Sequence, residues 1–166
     1  GETVRNAADD RLVIQDITSR LPDAERLMVP DVEPTADALL ERVGALANGL
    51  ERLDRDLPGA ALDDLARRIA SLEAEPPESP DRERRLSLLT RQQASLQELA
   101  SRRETMQRQL DSAAMALRSL RFDIVKLRTL GVDASVTDIT SATQEARALS
   151  RDLGYVLDAA EESRRL

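Results

Sequence analysis

The sequence has no histidine, no cysteine and no tryptophan, and Phe122 and Tyr155 are its only aromatic residues. Those absences remove most enzymatic chemistry before any pattern is read. Without imidazole there is no Ser/His or Cys/His dyad, and without imidazole or thiolate there is no conventional zinc site. The Glu-x-x-His motifs of di-metal helix bundles are excluded for the same reason. Glycine is scarce, six residues scattered singly, and the one lysine, Lys126, stands inside a helical stretch, so no glycine loop cradles a phosphate. No apolar run approaches the roughly 20 residues needed to cross a bilayer, and no charged-then-apolar leader opens the chain. The acidic pairs Asp63/Asp64 and Glu161/Glu162 are adjacent, so on a helix they do not face each other. The expected catalytic, cofactor and metal residues are therefore none.

What is present is helix-forming. Ala, Leu, Glu, Lys and Arg supply 52% of the 166 residues, the level of long helices and coiled coils. At 41% hydrophobic residues the chain can build a core if they fall on the right faces. The net charge of −7 opposes a general affinity for nucleic acid or anionic lipid. A cytoplasmic location is the expectation, although an absence of cysteine fits any redox compartment. The chain opens on Gly1 rather than methionine, which reads as the scar of a cleaved tag on a fragment of a longer protein. Arginine outnumbers lysine 23 to 1, pointing to a GC-rich genome.

Proline divides the chain, because it cannot continue a helix and biases the preceding residue away from helical angles. All seven prolines precede residue 81. Three segments are expected: residues 1–34, a helix over about 3–20 and a Pro-bounded loop; 35–76, a helical hairpin or kinked helix broken at Pro58-Gly59; and 77–166, a long helix over about 80–130 with an antiparallel return helix over about 136–165. In the second segment Ala36, Leu39, Val43, Leu46, Leu50, Leu53 and Leu57 alternate by three and four, and Leu62, Leu65, Ile69 and Leu72 continue the rhythm. The long helix, capped by Ser79-Pro80-Asp81, carries Leu89, Gln92, Leu96, Leu99, Arg103, Met106, Leu110, Ala113, Leu117, Leu120, Ile124 and Leu127 on one seam. Its length would be roughly 75 Å. Gly131 ends it, Ser135 and Asp138 have capping-box spacing, and Ile139, Ala142, Ala146, Leu149, Leu153, Val156 and Ala160 line the return helix. The fold class is all-α: a long antiparallel helical hairpin or coiled coil with shorter N-terminal helices packed along it.

Charge supports intramolecular packing. Residues 82–128 hold 11 bases and 5 acids, residues 33–78 the reverse, so a basic rod is expected to be wrapped by acidic helices. Arg82, Arg84, Arg85 and Arg91 could touch phosphate, but with no aromatic partner nearby they are expected to pair with Glu73, Glu75 and Glu78. Gln92 and Arg103 are polar seam positions, the kind that fix helix register. Met115, Phe122 and Val125 form a second apolar stripe opposite the main seam, packing on the first helix or another part of the chain, or making a dimer or domain contact.

The segments Asp31–Leu39, Leu117–Asp123 and Ser141–Arg151 resemble the helical region that follows the catalytic domain in a group of bacterial serine/threonine protein kinases. The resemblance spans most of the chain and implies a cytoplasmic regulatory or scaffolding part of a signalling kinase. No catalytic residue carries over: the glycine-rich loop, the strand lysine, the catalytic-loop aspartate and Asp-Phe-Gly are all missing, and Phe122-Asp123 is mid-helix without the glycine. The expected function is a non-catalytic scaffold, dimerisation or regulatory module whose partner is another protein or itself, as a homodimer, and not nucleic acid. The rival is a helical-bundle sensor for a small ligand or another protein. A third reading, nucleic-acid binding through the basic rod, would show as salt-dependent retention on heparin.

Overall fold

The computed structural model describes the backbone of residues 1–57, 59–76 and 80–165, and their side chains except at 80, 132, 133, 161 and 163–165. Pro58 and the Pro77–Ser79 part of the expected linker, with its Ser79 cap, lie outside the described residues. Among the described residues six helices follow one another: α1 (Glu2–Arg20), the single turn α2 (Asp23–Arg26), α3 (Val32–Asp56), α4 (Ala61–Glu73), α5 (Pro80–Leu130) and α6 (Val132–Arg165). No strand occurs among the described residues, so the protein is all-α. The chain divides into two compact units, residues 1–48 with 108–166, and residues 49–107. Both boundaries cut through helices, so α3 and α5 each contribute to two cores.

The first unit is a four-helix bundle, and its contacts give the helix directions. Arg11 on α1 bonds Asp37 and Thr18 bonds Glu33, so α1 and α3 run oppositely. Asp10 reaches Arg118 and Arg121, and Thr3 and Asn6 lie beside Ala114 and Met115, so α1 and α5 run the same way. Asp31 pairs with Arg147 and Arg42 lies against Gly154, so α3 and α6 are also parallel. The result is an up-down-up-down arrangement in which α6 runs opposite to α5.

Its interior is aliphatic. Ile14 and Ile17 on α1, Leu39, Val43 and Leu46 on α3, Leu117, Leu120, Ile124 and Leu127 on α5, and Ile139 on α6 are all at most 2% exposed. Each such side chain contributes about 1.5–3 kcal/mol by leaving water. The α3 seam sits inside this bundle from Ala36 through Leu46. Pro34 falls in the first turn of this helix, where its missing N–H removes no helical hydrogen bond, so α3 starts at Val32 rather than near Thr35.

One connection and one helix face differ from the sequence expectation. Gly131, with φ +84°, is the single non-helical residue between α5 and α6, and α6 begins at Val132. Ser135 is therefore no cap; it is buried at 2% exposure. On α6 the buried row is Ser135, Ile139, Thr143, Ala146, Ser150 and Leu153, while Ala142 and Leu149 are half-buried and Val156 is exposed. A helix that touches two neighbours buries a wide stripe, not a narrow seam. The hydroxyl of Thr143 donates to the Ile139 carbonyl at 2.6 Å, which satisfies it inside the bundle.

The second unit contains the end of α3, α4 and the first half of α5. Arg103 bonds Asp54, and the Met106 thioether lies where a side chain on Gly49 would begin, so α3 and α5 are antiparallel here too. Leu50, Leu65, Leu72 and Met106 are buried, but Leu53, Leu62, Ile69, Leu86, Leu89 and Leu96 are only half-buried. Along α5 the covered positions are Leu86, Leu89, Gln93, Leu96 and Ala100, whereas Gln92 and Leu99 are exposed. A straight helix rotates a heptad stripe by about 20° per repeat, so the seam walks off its strict a/d register.

Candidate interaction face

The outer face of α5 in the first unit carries the apolar stripe read from the sequence. Met115 is 69% exposed and Phe122 is 55% exposed, while Val125 is half-buried. Phe122 lies two residues after Leu120, which is buried, and helical geometry turns it about 200° away from the core. The ring does not pack into the bundle, and Met115 borders α1 at a shallow concavity shared with Thr3, Asn6 and Ala7.

Beside this stripe lies a charge cluster that the sequence reading did not single out. Asp10 of α1 is almost fully buried, and its carboxylate accepts a 2.6 Å hydrogen bond from Arg121 and stands 3.5 Å from Arg118. The Arg121 guanidinium lies 5.9 Å from the Phe122 ring centroid, within cation–π range. Its Nε is buried without a hydrogen-bond partner. The signal for Asp10 was legible: it shares a helical phase with Ala7, Ile14 and Ile17, so an acid there needs a cationic partner. Which arginine supplies it depends on tertiary packing.

Arg82, the first residue of the basic cluster, is engaged differently from expectation. In the second unit the Arg82 guanidinium donates to the carbonyls of Leu72 at 2.7 Å and Glu73 at 2.9 Å, capping the C-terminus of α4 instead of pairing with the Glu73 or Glu75 carboxylates. Orphaned carbonyls at a helix end, at the negative pole of its dipole, favour this contact. Arg26 treats α1 the same way, donating to Ser19 at 2.9 Å and Leu21 at 3.1 Å. Glu78 lies outside the described residues.

The two polar seam positions separate. Arg103 is held by Asp54, and that hydrogen bond lowers the Asp54 pKa and raises that of Arg103. Gln92 is exposed and lines a concavity of the second unit with Arg68, Leu72, Arg85 and Leu89. Asp123, on the α6 side of α5, has its pKa raised, first by burial and then by the like charge of Asp138, against the pull of Lys126.

A further concavity of about 250 Å³ opens in the first unit between Met28–Val32 and Ile139–Arg147. Its floor is Val29, Val32 and Ile139, and its rim holds the 3.4 Å Asp31–Arg147 pair. Among the described residues no three acidic side chains gather as a metal site, and no helix is long and apolar enough to cross a membrane. No protein-family model, curated protein or solved structure matches the chain.

Proposed function

We propose that this chain is a non-catalytic helical scaffold, dimerisation or regulatory module of a larger bacterial signalling protein, with a serine/threonine kinase as the parent that the sequence resemblance implies. The observation that carries the reading is the exposure of Met115 and Phe122 together on the outer face of α5. An aromatic and a methionine left in water on one helix face are side chains of the kind that anchor protein contacts. The interior fits the same reading: Thr18 and Thr143 make hydrogen bonds within the chain, and the buried acid Asp10 is held by Arg118 and Arg121. A module of this kind acts by holding attached catalytic domains at high effective concentration, which favours phosphorylation in trans.

The test uses the intact parent. Removing residues 80–166 is expected to lower autophosphorylation by tenfold or more, and Phe122→Asp by several-fold. Unchanged autophosphorylation in both variants would overturn the proposal. The concavity at Val29 and Ile139 favours the sensor reading; a small ligand filling it would raise the melting temperature, and Thr143→Phe would remove that rise.

A further inference from the structure

We propose that Ser87, on the exposed side of α5 in the second unit, is a phosphorylation site for an arginine-directed serine/threonine protein kinase. The basic cluster supplies the motif. Arg84-Arg85-Leu86-Ser87-Leu88 sets guanidinium groups three and two residues before a hydroxyl and an apolar side chain directly after it. A kinase cleft lined with carboxylates selects such a charge pattern, because each arginine makes charge-assisted, bidentate hydrogen bonds there. The same spacing recurs once, at Arg102-Arg103-Glu104-Thr105-Met106. That copy is blocked: Arg103 is held by Asp54, and Met106 is 8% exposed in the core of the unit. At the first copy Arg84, Arg85 and Ser87 are exposed and Leu88 is 55% exposed. Neither Arg84 nor Arg85 has a side-chain partner among the described residues.

A kinase takes its substrate as extended chain, so the start of α5 must open. Few contacts oppose that opening. Ser87 is close to the N-terminal end of a helix that begins at Pro80. Among the described side chains of residues 81–105 none is buried; Leu86, Leu89 and Leu96 are half-buried. Fraying from this end therefore exposes little apolar surface. The hydrogen bonds given up are those of Arg82 with the α4 carbonyls. In the transfer, the Ser87 Oγ attacks the terminal phosphorus of a magnesium-bound nucleoside triphosphate. The bond from that phosphorus to the bridging oxygen breaks, the nucleoside diphosphate leaves, and the hydroxyl proton passes to the catalytic aspartate of the kinase. When the helix re-forms, the phosphate stands one turn from Arg84 and from Arg91, at i−3 and i+4. These two exposed arginines bond its oxygens against the repulsion of Glu83 at i−4, and the modified segment opens less readily than the unmodified one.

The full chain, incubated with a purified arginine-directed serine/threonine kinase and magnesium ATP, should take up one phosphate, mapped to Ser87 by peptide mass spectrometry and abolished by Ser87→Ala. Arg84→Ala and Arg85→Ala should each lower the initial rate about tenfold or more, the loss of one charge-assisted contact, whereas Arg102→Ala should leave it unchanged. Circular dichroism checks that each variant keeps its helix content. In the phosphorylated chain, amide exchange across residues 84–91 should slow several-fold, and Arg91→Ala should remove the slowing. Absence of phosphate, or phosphate on Thr105 in preference to Ser87, would overturn the site. Rates indifferent to both Arg84→Ala and Arg85→Ala would overturn the recognition, and exchange unaltered by phosphorylation would overturn the arginine clamp.

Discussion

Asp10 shows how much one buried charge directs in this bundle. Its carboxylate is 3% exposed while the Arg118 and Arg121 side chains are 54% and 36% exposed. Removing the acid lets both arginines swing toward water, so Asp10→Ala should cost about 1–2 kcal/mol, less than the ~3–5 kcal/mol of a fully buried pair. Removing Arg121 strands the carboxylate, and Arg121→Ala should cost more, about 2–3 kcal/mol. Urea denaturation midpoints distinguish the two; a loss for Arg121→Ala smaller than that for Asp10→Ala would mean that Arg118 alone holds Asp10. Asp54 and Asp123 each carry a pH dependence. Asp54 is held below its unfolded value near 3.9, so its pairing with Arg103 stabilises the fold above about pH 4 and that contribution disappears as pH falls through the lowered pKa. Asp54→Asn should therefore flatten the acid limb of the stability curve. Asp123 acts in the opposite sense: its pKa is raised, so ionising it costs the folded state and the cost is relieved as pH falls through that value.

At the scale of elements, glycine separates turn from helix. Gly131 lies at φ +84°, a conformation that disfavours any side chain, and Gly131→Ala should destabilise by about 1–2 kcal/mol although a Cβ there would meet nothing within 4 Å. Gly44 also has nothing within 4 Å but sits inside α3, so Gly44→Ala should stabilise by about 0.5–1 kcal/mol. Opposite shifts in melting temperature are the expected readout. The helices themselves were legible from spacing: the Ala36–Leu50 seam and the α5 positions from Met106 to Leu127 are the ones that the structure buries. Less legible was the start of α6, because Ser135 and Asp138 have capping-box spacing whether or not the helix begins there. The wide buried stripe of α6 was hidden too, since a helix wheel cannot say how many neighbours a helix has.

In the whole molecule, the two units differ in how deeply their cores are buried. Large side chains of the first unit, such as Leu39, Leu46, Leu117 and Ile124, are completely buried, whereas the best-buried residues of the second, Leu50, Leu65, Leu72 and Met106, retain 4–8% exposure. Hydrogen exchange should therefore show the 49–107 amides opening at lower free energy than those of the bundle. Equal protection throughout would show that the chain unfolds as one cooperative body. Leu117→Ala should cost about 2–5 kcal/mol, while Leu88→Ala, at 55% exposure, should be near neutral.

By itself the sequence determined the helical class, the positions of most helices and the apolar stripe of Met115 and Phe122 opposite the main seam. These depend on local spacing and on the backbone limits of proline and glycine, which act within a few residues. The tertiary structure alone decided that the cores are discontinuous, with α3 and α5 shared between them. It also decided that Arg82 caps a helix end, and that Asp10 is neutralised by residues 108 and 111 positions away. Many arginines and many acids are available in this chain, so charge composition permits many pairings. Only burial, which makes an unpaired charge costly, selects the one that forms.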